Sequence, residues 1–177
     1  TATTDRHGQA NKALSFNGSA SVDTGQYFSS LTTAFSISLW VKPGTSQAQY
    51  ADVLGNHAAD FKGFVFQQND TNLNQYIFGY GNGTSWVVTS NFDLTTSIWQ
   101  HVSIVKNASG VIVYVNGSQA ASATSATDLS PNTSWTLKFG QGYAGGSRYW
   151  NGSIADVRVY NRALSPTEVA QLYSEYR

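Results

Sequence analysis

Between residues 35 and 42 the chain alternates: Phe35, Ile37, Leu39 and Val41 are apolar, and Ser36, Ser38, Trp40 and Lys42 stand between them. A period of two puts one set on a buried face and the other on the opposite face, which is the pattern of a strand. Shorter runs rich in β-branched and aromatic residues recur at 12–16, 20–24, 50–55, 63–68, 75–80, 85–92, 99–106, 111–115, 118–124, 135–140 and 152–160. Turn dipeptides separate many of them, among them Asn17-Gly18, Pro43-Gly44, Asn82-Gly83 and Asn116-Gly117. Residues 27–31 are expected to form one helical turn. Residues 1–11 carry no periodicity and read as a lead-in or linker, leaving 12–177 as a single domain.

Only the C-terminal segment changes period. Ser165-Pro166-Thr167-Glu168 opens a helix: serine caps the free N–H groups, proline suits the first turn, and Glu168 completes a capping box. Val169, Leu172, Tyr173 and Tyr176 then follow at i, i+3, i+4 and i+7, so one stripe docks on an apolar surface. Many short strands at this spacing, closed by one helix, predict an all-β, two-sheet antiparallel jelly-roll sandwich.

Composition narrows the partners. The chain has 177 residues, net charge zero and only 11 % charged residues, with no basic run to attract nucleic acid or an anionic membrane. No stretch is apolar enough for membrane insertion. Cysteine is absent, so there is no disulfide framework and no thiolate metal site. Methionine is absent too, even at position 1, and the chain is expected to be a processed or excised piece. Seven Asn-x-Ser/Thr triplets occur, but four of them are Asn-Gly turns that merely precede Ser or Thr, so they read as turns and not as glycosylation sites.

Seven pieces of the chain fall in a recognisable order: A-L-S-F-N-G at 13–18, F-S-I-S-L-W-V-K-P at 35–43, V-L-G at 53–55, G-F-V-F at 63–66, W-Q-H-V-S-I-V at 99–105, V-Y-V-N-G at 113–117, and a closing G-S-I-A-D-V-R-V-Y-N-R-A-L-S. In that order they resemble bacterial laminin-G-like domains of the concanavalin A-like jelly-roll type. The resemblance implies the fold; it does not select among the lectins, adhesive modules and glycosidases that share it. It also implies a structural calcium ion held by Asp156, with carbonyls near Asn17 or Gly18 and at Gly44. Calcium takes six to eight oxygen ligands. Relatives often have acids where Asn17 and Ala155 stand, so a site here would be weak.

Catalysis lacks its parts. A jelly-roll glycosidase needs two carboxylates across the sugar, yet the only glutamates, Glu168 and Glu175, lie on the terminal helix. Among eight scattered aspartates, Asp52 and Asp60 flank one loop and are the only candidate pair. The Glu-x-Asp-x-x-Glu strand of related hydrolases and the Arg-x-Glu and Gln-x-His strands of jelly-roll lyases are both missing. His7, His57 and His101 are far apart in the sequence and show no nucleophile–base pattern.

Sugar binding has better support. Aromatic faces stack on pyranose rings, while amides and Arg bond hydroxyls. Most aromatics belong to strand patterns, but Tyr50, Phe61, Tyr143 and Tyr149 lie in loops, and Trp86 starts a strand. Asn56, His57, Asp60, Gln67 and Arg148 are their expected polar neighbours, centred on loops 56–62 and 141–149. The sequence therefore reads as a non-catalytic, secreted or cell-surface carbohydrate-binding module, joined to other domains of a parent chain, with poly- or oligosaccharide as partner. The alternative reading is a protein-binding adhesion module.

Overall fold

The computed structural model of the chain describes residues 1–69, 72 and 74–175. In chain order its strands are β1 (Ala2–Thr3), β2 (Ala13–Asn17), β3 (Val22–Asp23), β4 (Phe35–Pro43), β5 (Asp52–Gly55), β6 (Phe64–Gln68), β7 (Gln75–Gly81), β8 (Trp86–Val88), β9 (Phe92–Asp93), β10 (Gln100–Asn107), β11 (Gly110–Val115), β12 (Ser118–Thr124), β13 (Lys138–Phe139) and β14 (Asn151–Tyr160). Helix α1 (Pro166–Glu175) follows. One sheet runs β1-β2-β14-β4-β10-β11-β12, and the other runs β3-β13-β5-β6-β7-β8 with β9 added beside β7. The ladders between these strands are antiparallel. Strand β14 lies between β2 and β4, so the end of the chain locks its beginning. This is the expected two-sheet jelly roll.

The core lies between the sheets. Phe35, Ile37, Leu39 and Val41 of β4 enter it from one side, and Phe64, Phe66, Tyr76, Phe78 and Tyr80 from the other. Trp150 is also buried there, and its Nε1–H donates to Tyr76 Oη at 3.4 Å. Burial pushes the Tyr76 phenol up to about 12.

The polar face of β4 is covered as well. Helix α1 packs there through Val169, which joins Val105, Tyr114 and Leu164 in a second apolar cluster. Trp40 packs against His101 and against Tyr173 of the helix in tilted ring pairs, at centroid distances of 5.3 and 6.0 Å. The capping box forms as the sequence predicts: Ser165 N–H donates to Glu168 Oε2 at 2.8 Å, and Glu168 N–H to Ser165 Oγ at 3.3 Å. The Arg162 fork on Glu168, with the Ser165 bonds, holds that carboxyl down at about 2. Tyr176, the last residue of the expected stripe, lies outside the described residues. No helix among the described residues is long and apolar enough to cross a membrane.

Several elements differ from expectation. The lead-in is not a loose linker: Ala2 pairs with Leu14 and Thr3 with Ala13, and Arg6 reaches Asp156 on β14. The expected helical turn at 27–31 is a tight turn in which Leu31 N–H donates to Phe28 O at 3.1 Å. The strand expected over 85–92 is broken, because Thr89 Oγ1 takes the Phe78 N–H and replaces a ladder bond. The chain leaves the sheet there, and β9 rejoins it farther along β7. The strand expected over 135–140 shrinks to Lys138–Phe139, since Asn132 Oδ1 accepts the N–H groups of Ser134 and Trp135 and holds them in a turn.

Candidate functional site

A groove lies on the outward face of the second sheet. In β6, Phe64 and Phe66 point into the core, so Val65 and Gln67 face outward; in β7 the same alternation turns Ile77 and Gly79 outward. In β8, Val87 packs on the core while Trp86 and Val88 turn away from it. These residues floor a groove of about 300 Å³, flanked by His57, Ala58, Ala59, Tyr143 and Arg148. Gly79 keeps the floor low: a Cβ there would stand 3.5 Å from Val88 and 3.8 Å from Trp86, ordinary contacts at the base of the groove.

The two flanking loops are fastened together. His57 N–H donates to Gly142 O at 3.2 Å, Ala144 N–H to His57 O at 3.0 Å, and Asp52 N–H to Arg148 O at 2.9 Å. Gly142 approaches β5 so closely that a Cβ would meet Gly55 Cα at 2.6 Å, so only glycine fits. The Gln141 amide donates to the carbonyls of Tyr143 and Gly146, tying down the turn that presents Tyr143.

Asp52 anchors this arrangement from beneath. Its side chain has no exposed surface, and its Oδ2 lies 3.2 Å from His57 Nε2 and accepts the Gly142 N–H at 3.1 Å. The second oxygen, Oδ1, is buried without a hydrogen-bond partner among the described residues. The His57 ring meets Trp86 edge-on at 5.6 Å and Tyr143 at 5.2 Å. Arg148 lies over Tyr143 at 4.3 Å and over Tyr50 at 5.2 Å. Two aromatic rings, an imidazole and a guanidinium thus form one connected wall.

The structure brings together His57, Gln67, Trp86, Tyr143 and Arg148 in the groove lining, with Tyr50 behind Arg148. It excludes others. Asn56 is buried and serves the fold, donating to Tyr27 O and accepting the Phe64 N–H. Asp60 is exposed beside Lys62 at 3.7 Å. Tyr149 bridges Asp52 through its backbone, and Phe61 is exposed; neither lines the groove. The sequence reading missed Val65, Ile77, Gly79 and Val88, although strand alternation marks them as outward-facing. It also missed Asp52 as the anchor of His57. No signal in the sequence pointed to that role.

The residues named for calcium do not meet at one site. Gly44 N–H donates to Asn151 O at 2.9 Å, and Asn17 pairs with Asn151, so Asn17 and Gly44 are neighbours. Asp156 stands five residues farther along β14 at a bulge, with φ of +50°, and its Oδ2 is 2.5 Å from Arg6 Nη1. Asn17 Oδ1 is taken by the N–H and hydroxyl of Ser19. No group of three or more His, Cys, Asp or Glu among the described residues could hold a metal. A cation on Asp156 would have to displace Arg6, so this residue set does not fit a calcium site.

Among the described residues no acid pair faces the groove either. None of its lining residues is Asp or Glu; Asp52 is sealed beneath it and Asp60 lies outside it. The histidines do not meet: His7 is exposed in the N-terminal segment, His57 is in the groove, and His101 is buried on the other sheet with Nε2 2.8 Å from Ser38 Oγ. Burial pushes His101 down to about 4, helped by the charges of Arg158 and Arg6.

The fold is a two-sheet antiparallel β-sandwich with a groove on one outer face. A family model described as the concanavalin A-like lectin/glucanases superfamily matches residues 16–170, and the chain belongs to that superfamily. Solved structures share the architecture. Domain 4 of AbnA, a GH43 extracellular arabinanase from Geobacillus stearothermophilus, solved in complex with arabinotriose, matches with a TM-score of 0.74 and 20 % identity, over 98 % of this chain and 80 % of that one. A heptameric SAP-like pentraxin from Limulus polyphemus matches with a TM-score of 0.66 and 17 % identity, over 91 % and 81 %. Domains LG4-5 of the mouse laminin alpha1 chain match with a TM-score of 0.65 and 16 % identity, over 85 % of this chain and 43 % of that one. At these identities the likeness is one of fold.

Proposed function

We propose that this chain is a non-catalytic, lectin-like module that binds poly- or oligosaccharide in the groove between Trp86, Tyr143 and Gln67. One observation carries the reading. Gln67 is only 8 % exposed and lines the groove, yet its amide makes no hydrogen bond among the described residues. An amide at the groove surface with its donors and acceptor uncommitted is available to bond ligand hydroxyls. Around it stand aromatic faces suited to the apolar side of a pyranose, and a guanidinium suited to oxygen acceptors. The arabinotriose held by the AbnA domain supports a short sugar chain as ligand for this fold. The likeness to one domain of an extracellular arabinanase likewise supports a role in a secreted or cell-surface protein, beside other domains of a parent chain.

The missing acid pair favours binding over hydrolysis. The test is affinity gel electrophoresis and a glycan array, with Trp86→Ala and Tyr143→Ala as variants. Each should weaken retention by roughly tenfold or more while leaving the unfolding temperature close to wild type. Gly79→Leu should block the groove from its floor with a similar loss. Silence of the wild-type protein on every glycan would overturn the proposal, and capture of a protein ligand at another face would favour the adhesion reading.

A further inference from the structure

Resting on that groove as the binding site, the geometry points to its ligand class: we propose that the groove selects an acidic sugar, one bearing a carboxylate or sulfate. The argument begins with Arg148. Its guanidinium lines the groove and lies over two rings, Tyr143 at 4.3 Å and Tyr50 at 5.2 Å. The two rings hold the guanidinium at the groove wall, and the N–H groups of its fork remain for a ligand. Among the described residues that fork has no carboxylate partner and no hydrogen bond. A guanidinium is a permanent cation whose donors match an oxyanion in a bidentate manner.

The surroundings strengthen the case. Among the described residues no Asp or Glu lines the groove, so no acid found there repels an anion. Asp52, beneath the groove, has no exposed surface and is committed to His57 and the Gly142 amide, so it cannot close on Arg148 from within the groove. By contrast, the chain's other arginines near acids use them: Arg6 holds Asp156, and Arg162 forks onto Glu168. Arg148 is therefore a cation presented to the ligand beside the unpartnered Gln67 amide. The carboxylate or sulfate would take the fork, and the amide would take a neighbouring ring hydroxyl.

The experiment compares matched probes by calorimetry: oligogalacturonate, its fully methyl-esterified form, sulfated carrageenan oligosaccharide and neutral galactan oligosaccharide. Oligogalacturonate or carrageenan oligosaccharide should bind at least tenfold more tightly than its neutral counterpart, and whichever does so tells carboxylate from sulfate. That affinity should fall between low and high NaCl, because the pairing is partly exposed to solvent. Arg148→Gln should remove the preference for the acid, and Arg148→Lys should recover only part of it, since a point charge lacks the fork. Trp86→Ala should weaken acidic and neutral sugars alike. Equal or tighter binding of the neutral probes, or an unchanged preference in Arg148→Gln, overturns the acidic-sugar assignment while leaving the groove a sugar site. Loss of every sugar signal in the wild-type protein overturns both.

Discussion

His57 and Asp52 form a pair at the foot of the groove, with Nε2 and Oδ2 3.2 Å apart and the aspartate fully buried. The same oxygen holds the Gly142 N–H, so one carboxylate fastens both flanking loops. Asp52→Ala would leave the imidazole and a buried amide without their partner. Unpaired buried donors cost about 1–3 kcal/mol each, and the loss expected here is roughly 3 kcal/mol in urea unfolding. Sugar affinity should fall with it, because His57 and Tyr143 lose their support. A variant as stable as wild type would show that the pair does not hold the loops.

Arg6 occupies Asp156 in the same structural sense, 2.5 Å from its Oδ2 and 4.4 Å from the centre of the Trp40 ring. With the carboxylate already neutralised by a cation, calcium has no free acid at that bulge. Melting curves and sugar retention are expected to be the same in millimolar calcium and in chelator. Arg6→Ala should loosen the N-terminal segment and lower the melting temperature by a few degrees, as a half-exposed ion pair of this kind contributes on the order of 1 kcal/mol. A calcium-dependent rise in the melting temperature of the wild-type chain would refute this account.

His101 sets an acid limit. Its folded value is about 4, depressed from an ordinary 6.5 by burial and then by Arg158 and Arg6. Below 6.5 the unfolded chain takes up this proton and the folded chain does not, so stability falls as the pH drops from 6.5 towards 4. The slope approaches about 1.4 kcal/mol per pH unit. Above 6.5 the contribution is complete and flat. His101→Gln should remove that part of the pH dependence; if the urea midpoints of the variant and the wild type fall in parallel across this window, His101 is not its source.

Local rules carried much of the fold. The alternation at 35–42, the Asn-Gly turns and the capping box at Ser165 and Glu168 each depend on residues close in sequence, and each appears in the structure. The ends of elements were harder to read. Whether 85–92 stayed in the ladder depended on Thr89 competing for the Phe78 N–H from a neighbouring strand. The N-terminal segment lacked periodicity, but a two-residue edge strand needs only a partner, and β2 supplies it.

For the site, residue type was informative and location was not. Loop aromatics and polar neighbours singled out His57, Gln67, Trp86, Tyr143 and Arg148, because exposed rings beside amides are uncommon in a core pattern. The same reasoning admitted Asn56, Asp60 and Tyr149, which the groove leaves out. It also grouped Asp156 with Asn17 and Gly44, although a length of strand and the Arg6 ion pair separate it from them. The sequence by itself determined the sandwich, its helix and the kind of chemistry its loops carry, since those follow from period and composition. Which side chains meet across loops some 85 residues apart, from His57 to Tyr143, was decided only when β13 and β14 brought the second loop back beside β5, because sheet register and not sequence distance sets that contact.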